Sequence, residues 1–398
     1  NRKAFRMLRR FSLLSVPLLL VPLLLSPLSA PAAAFDDDED EIKHTSFDLQ
    51  VNGYGIGFGN SARLRGLRFN WKDHGVEEVI GVNITFWKPG SSFDGRISGL
   101  QFGFYSPRAA TLDGLSVGIL AVEADDYING IAAALLAVTN TGVTKGISVA
   151  GLANVTGDNM YGIGLAGLAN ITGGELYGVG LSLLANVTDG GMYGLGASLL
   201  ANISNGELKG IALGGLANVI NGDVYGITLG GLANVTEGSM SGVSASLLAN
   251  VSGDETSGIM FGGLANVSDG EMTGISVGGL ANVSDGHMTG ISVGGLANVA
   301  AGGATGITLG GLANVGDGDV TGITFGGLAN VAGGDMTGIN LSLLANVSSK
   351  VLTGISFGGL AAVGAEGITG VTFGGLSVLS EEYMSGIQTS VGGINAGE

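Results

Sequence analysis

The chain has 398 residues, of which 76 are glycine and none is cysteine, and its net charge is −17. The missing thiol removes disulfide frameworks, cysteine chemistry and the lipid-modified cysteine of a bacterial lipoprotein, and the acidic balance argues against a nucleic-acid partner, whose phosphates need a basic face. Glycine far above the usual ~7% without a Gly-X-Y period excludes collagen, and 45% hydrophobic against 12% charged residues excludes a simple disordered tail, which leaves a stacked repeat structure or a membrane protein.

In chain order, residues 1–34 read as a signal peptide. Arg2, Lys3, Arg6, Arg9 and Arg10 form a basic start, with Met7 a candidate initiator. A Leu-rich stretch runs from about Leu13 to Leu28, and Ala32-Ala33-Ala34 offers a small-residue cleavage site before Phe35. Pro22 and Pro27 interrupt the apolar run, which falls short of the ~20 residues a membrane span needs. Residues 35–50 form an acidic leader, Asp36-Asp37-Asp38-Glu39-Asp40-Glu41, expected to be solvated.

Residues 51–129 hold degenerate β repeats, and 130–398 hold regular ones. A glycine opens each unit at 66, 81, 99 and 114, then every 16 residues from Gly130 to Gly386. Leu-Ala-Asn recurs in the same register, placing Asn154, Asn170, Asn186, Asn202, Asn218, Asn234, Asn250, Asn266, Asn282, Asn298, Asn314, Asn330 and Asn346 in one structural column. In the unit Gly274–Thr289, Ile275 and Val277 alternate with Ser276, the period-2 mark of a strand. Gly278-Gly279 becomes Ser342-Leu343 elsewhere, which suggests a bend, whereas Ser284-Asp285-Gly286 carries a turn signature. Helix is rejected, because glycines every few residues would cost about 1 kcal/mol each.

The period predicts an all-β chain, a β-solenoid of about 20 coils with a 16-residue repeat. Each coil would stack on the last at about 4.8 Å, with Leu and Ile columns as the core and the Asn amides bonding from coil to coil. A transmembrane β-barrel built from the repeats is the main alternative, and a ring of short hairpins is a third architecture that could absorb the unit. Trp71, Phe86, Trp87 and Tyr105 end early strands, where an aromatic belt would sit. Stacking is preferred, because lipid gives no reason to repeat Gly and Ala at fixed slots.

The unit Gly146-Ile147-Ser148-Val149-Ala150-Gly151-Leu152-Ala153-Asn154-Val155 and its successors resemble the Gly-rich surface-repeat proteins of spirochaetes and Bacteroidetes. Those read G-[VI]-x-[LVI]-x-G-[LF]-x-N-[VI], often with Gln third, where this chain mostly has Ser, Thr or Gly. The resemblance covers about residues 66–395. It implies an exported, cell-envelope or surface location and supplies no catalytic residue.

The search for chemistry gives an expectation of no enzyme and no cofactor. His44, His74 and His287 are the only histidines and are scattered. The turn acids Asp189, Glu207, Asp223, Glu237, Asp269, Glu271, Asp285, Asp317, Asp319 and Asp335 recur near one phase. Ca2+ at these turns is a weaker alternative to a solubilising edge, since the nonapeptide calcium repeat does not fit this register. Asn-x-Ser/Thr sequons such as Asn154-Val155-Thr156 would be inaccessible in an internal ladder. The column Thr228, Ser276, Ser292, Thr308, Thr324, Ser356, Thr372 offers a possible flat binding face for ice or polysaccharide, with plain surface the blander reading. The functional expectation is an exported, structural or adhesive cell-surface module. A pore-forming outer-membrane barrel and a cation- or surface-binding repeat protein are the alternatives, and any partner would be an envelope or extracellular surface.

Overall fold

A computed structural model describes residues 45–90 and 94–397. The signal peptide, the acidic run and His44 lie outside the described residues.

The described chain is all β. It opens with a hairpin, β1 (Ser46–Val51) against β2 (Tyr54–Gly59), antiparallel. Its two-residue connection, Asn52-Gly53, has φ values of 53° and 81°, the left-handed pair that matches the twist of hairpin strands. From β2 onward the pairing is parallel: β2 on β3 (Arg63–Asn70), then β4 (Glu78–Thr85), β5 (Arg96–Gly103), β6 (Arg108–Gly118) and β7 (Ala121–Ala134). Beyond β7 each coil has two strands. The short even-numbered strands run from β8 (Ala137–Asn140) to β40 (Gly393–Ala396), and the long odd-numbered ones from β9 (Val143–Ala150) to β39 (Tyr383–Ser390).

Each strand pairs with its equivalent one coil away in strict 16-residue register. In β25 (Met272–Gly278) on β27 (Met288–Gly294), Met272 meets Met288, Gly274 meets Gly290 and Ser276 meets Ser292. In β24 (Ala265–Ser268) on β26 (Ala281–Ser284), Asn266 meets Asn282. The fold is therefore a parallel β-solenoid of about 21 turns, as the period predicts. The barrel alternative is overturned, because one strand per unit in a barrel would pair antiparallel.

The expectation of a Leu and Ile core is also overturned. The side chains that point inward are Met272, Ser276, Asn282 and Ser284, while Ile275 and Leu280 face out at 37% and 45% exposure. An alternating Ile-Ser-Val segment has two possible parities. The coil is too narrow to hold three bulky columns, and it encloses one larger apolar residue per turn. That column comprises Met160, Leu176, Met192, Leu208, Val224, Met240 and their successors. For the same reason the column of Thr228, Ser276, Ser292, Thr308, Thr324, Ser356 and Thr372 is buried and offers no binding face.

Glycine has two distinct uses. Gly274 lies inside the long strand at φ 112°, as do its equivalents from Gly66 to Gly386, and this left-handed residue bends the strand. The Asp285-Gly286 segment does link β26 to β27 as a bend, yet Gly286 is not left-handed. It is small because a Cβ there would lie 2.7 Å from the Glu271 nitrogen of the coil below.

Candidate functional site: an apolar outer strip on a polar core

The interior is held by the asparagine column. Asn154 Nδ2 donates to Asn170 Oδ1 at 2.8 Å, to Leu165 O at 2.9 Å and to Ser148 O at 3.2 Å. Side-chain amide bonds of 2.8–2.9 Å continue unbroken to Asn346. All thirteen residues are buried, so their sequons are shielded in the folded chain. At the next coil Ala362 takes the slot, and Asn346 Nδ2 turns to Ser356 Oγ and Phe357 O, both at 2.9 Å. A neutral amide with its hydrogens and oxygen all engaged is a cheap way to fill a narrow interior, since an unpaired one would cost roughly 1–3 kcal/mol.

Sequence reasoning missed a second polar cluster under the first coils. Arg68 and Asp73 are 0% and 1% exposed and form an ion pair at 2.6 Å. Arg68 also donates to Asn83 Oδ1 at 3.0 Å and Asn60 Oδ1 at 2.9 Å, and Thr85 Oγ1 donates to Asp73 Oδ2 at 2.7 Å. A signal existed: Arg68 occupies the inward slot that becomes Asn83, Gln101, Ser116 and Ala132 in later coils. His74 is buried beside this cluster, with both ring nitrogens unpartnered. His287 sits in a turn, bonding Gly302 O and the Thr305 hydroxyl of the next coil.

Outside, the columns of Ile275, Val277, Leu280 and Val283 make a strip that wraps the outer faces of both strands and the corner between them. From Ile131 to Leu379 these columns hold no charged residue, and the corner slot is leucine in every coil from Leu136 to Leu376. Where Ser-Leu replaces Gly-Gly a second leucine projects, as at Leu247, which is 70% exposed. These protrusions wall two apolar grooves. One of about 710 Å³ is lined by Leu165, Leu181, Leu183, Leu199 and Leu213, and one of about 490 Å³ by Leu229, Leu247, Phe261 and Val277. Toward the first coils the corner continues in aromatic rings. Trp71 stacks on Trp87 at 5.9 Å and on Phe86 at 6.5 Å, and Phe86 stacks on Phe104 at 5.0 Å. The rings foreseen as a barrel belt are thus stacked on a solenoid corner.

Charge is confined elsewhere. Every charged side chain from Lys145 to Glu366 lies in the three-residue turn or in the column of Thr273. The turn carboxylates cap backbone between coils: Asp223 accepts from Ser239 N at 2.8 Å, and Asp319 from Asp335 N at 2.8 Å. Among the described residues, no group of three or more His, Cys, Asp or Glu is placed to hold a metal. In the Thr273 column, Tyr161, Tyr177 and Tyr193 stack at 5.0 and 4.7 Å, and Lys209 lies over the rings of Tyr193 and Tyr225 at 5.6 and 5.7 Å. The hydrogen bond to Glu175 pushes the Tyr177 phenol up to about 12, and that to Glu207 does the same for Tyr193.

These features define a parallel β-solenoid whose interior pairs a hydrogen-bonded polar column with one apolar column, and whose exterior carries an apolar strip. Compared with family models, curated protein sequences and solved structures, the chain gives no match.

Proposed function

We propose that the chain is an exported, non-enzymatic structural or adhesive module of the cell surface, which holds its outer strip against an envelope or extracellular surface. The observation that carries this reading is the uncharged run of outward columns from Ile131 to Leu379, about 75 Å long at one strand spacing per coil. Soluble monomers rarely expose apolar patches beyond a few hundred Å², and larger ones mark interaction surfaces. The basic, Leu-rich start of the chain and the resemblance to surface-repeat proteins support export.

The test has two parts. Cells expressing the full chain are fractionated beside cells expressing a version lacking residues 1–34, and the purified full chain is sedimented with isolated cell envelopes. The full chain should leave the cytoplasm and the truncated one should stay. The triple variant Leu264→Asp, Leu280→Asp, Leu296→Asp should lose envelope binding. Cytoplasmic retention of the full chain, or undiminished binding by the triple variant, overturns the proposal.

A further inference from the structure

Building on the strip as the adhesive element, we infer that its occupant is the hydrocarbon of a lipid bilayer, on which the solenoid lies side-on with its corner immersed and its turn edge in water. Three observations point there.

The first is the inversion of polarity. Beside one apolar column headed by Met160, Leu176 and Met192, the enclosed columns are Asn, Ser, Thr and Gly, while the columns of Ile275, Val277, Leu280 and Val283 face out. A chain in lipid must satisfy its peptide groups internally. The corner does so: Leu280 N bonds Leu264 O at 2.7 Å, Gly279 N bonds Gly262 O at 3.0 Å, and Ala281 N bonds Leu264 O at 3.0 Å. The same pattern repeats at Leu296 and Leu312, each 2.7 Å from the carbonyl one coil below. Immersion of the Gly-Gly corners therefore strips water from no unpaired amide among these three, whereas the Leu183, Leu247 and Leu343 nitrogens of the Ser-Leu corners make no such bond.

Charge complementarity is the second. The uncharged strip matches hydrocarbon, and the carboxylates lie at the far end of the short strand from the corner. The strip is bordered by Tyr161, Tyr225, Lys145 and Lys209, ring-and-ammonium side chains that suit a headgroup boundary. Trp71 and Trp87, 66% and 56% exposed, extend the same corner.

The third is shape. The strip bends around a corner and takes in both strand faces. A second solenoid would cover one face and leave the other wet, whereas fluid acyl chains follow the whole contour.

The chain has no cysteine, so a single label reports one place. Leu280→Cys and Asp285→Cys variants of the full chain, each carrying an environment-sensitive fluorophore, are mixed with phosphatidylcholine vesicles, with and without acyl-brominated lipid. The Leu280 label should shift to the blue and lose about half its emission to bromine, as for a group 5–10 Å below the headgroups. The Asp285 label should change little. Should a labelled variant misfold by circular dichroism, Trp71 and Trp87, the only tryptophans, give the same readout in the unaltered chain. A Leu280 label that stays wet on vesicle-bound protein means that another part of the chain, such as residues 1–34, does the binding, and overturns the inference. So does quenching of both labels, or a Leu280 label shielded without vesicles in proportion to protein concentration, which identifies a second copy. These outcomes are independent of export, so cytoplasmic retention would defeat the functional proposal and leave this result to stand or fall separately.

Discussion

Asn266 donates its side-chain amide to the side-chain oxygen of Asn282, one coil on, at 2.9 Å, and accepts from Asn250 at 2.8 Å. The same amide reaches Val277 O at 2.9 Å. Asn266→Ala would leave the Asn250 donor and the Asn282 acceptor short of a partner in a buried column, and should destabilise the local coils by about 1–3 kcal/mol. Asn266→Asp should cost more, because it buries a charge that only one neighbouring amide faces. Solenoid stability is a sum over neighbouring coils, so the change is best read by amide hydrogen exchange. Protection should fall around residues 250–282 and persist near Gly130. Unchanged protection in both variants would show that the amide chain adds nothing to the stack.

The left-handed strand glycine and the corner glycines predict unequal tolerances. Gly274 sits at φ 112°, and a Cβ there would lie 2.2 Å from Gly258 O. Gly274→Ala should therefore cost about 2–4 kcal/mol, combining backbone strain with displacement of a stacked strand. The paired change Gly278→Ser, Gly279→Leu also meets backbone, at 2.2 Å from Ala281 O and 2.0 Å from Gly263 O. Neither glycine is left-handed, however, and Ser246-Leu247 fills the same slots two coils earlier, so the corner shifts and the loss should be smaller than at Gly274. Thermal melts of the two variants side by side decide the point, and equal losses would contradict it.

What the sequence made legible was the period and everything that follows from it: parallel stacking, the 16-residue register and the position of the Asn slot. Hydrophobicity alone could not tell which side of Ile275-Ser276-Val277 faces in, because alternation reads the same under either parity. The deciding factor was steric. Sixteen residues enclose too little space for Ile, Val and Leu together, and the Asn amides need strand carbonyls within reach. The general expectation that apolar residues go inside therefore failed at Ile275 and Leu280, the residues that make the candidate site. Arg68 was legible only in retrospect, as a charge in a column otherwise small or neutral, once pairing with Asn83 and Gln101 was known.

The Arg68–Asp73 pair predicts a non-additive response. Arg68→Met strands a buried carboxylate and should destabilise the first coils by about 3–5 kcal/mol. Adding Asp73→Leu removes the uncompensated charge and should restore part of that loss, leaving Asn60, Asn70, Asn83 and Thr85 with fewer partners. A double-mutant cycle on chemical denaturation midpoints measures the coupling. Purely additive losses would mean that the two side chains do not act as a pair.

The tyrosine column predicts a spectroscopic signature on the border of the strip. Hydrogen bonding to Glu175 and Glu207 raises the Tyr177 and Tyr193 phenols to about 12. The folded chain thus holds these protons more tightly than the unfolded one, so their stabilisation is complete below about pH 10 and is lost as the pH rises through 12. Glu207 behaves in the opposite sense. Lys209 first, then Tyr193, lowers its pKa, so its contribution is present above the usual carboxylate range and is lost as the pH falls through the depressed value. Glu207→Gln should bring the Tyr193 titration, followed by phenolate absorbance, back toward about 10 while leaving Tyr177 high. If both tyrosines ionise together in the unaltered chain and near the ordinary value, the hydrogen bonds from the rings to these carboxylates are absent in solution, and the ordered border assigned to the strip is absent with them.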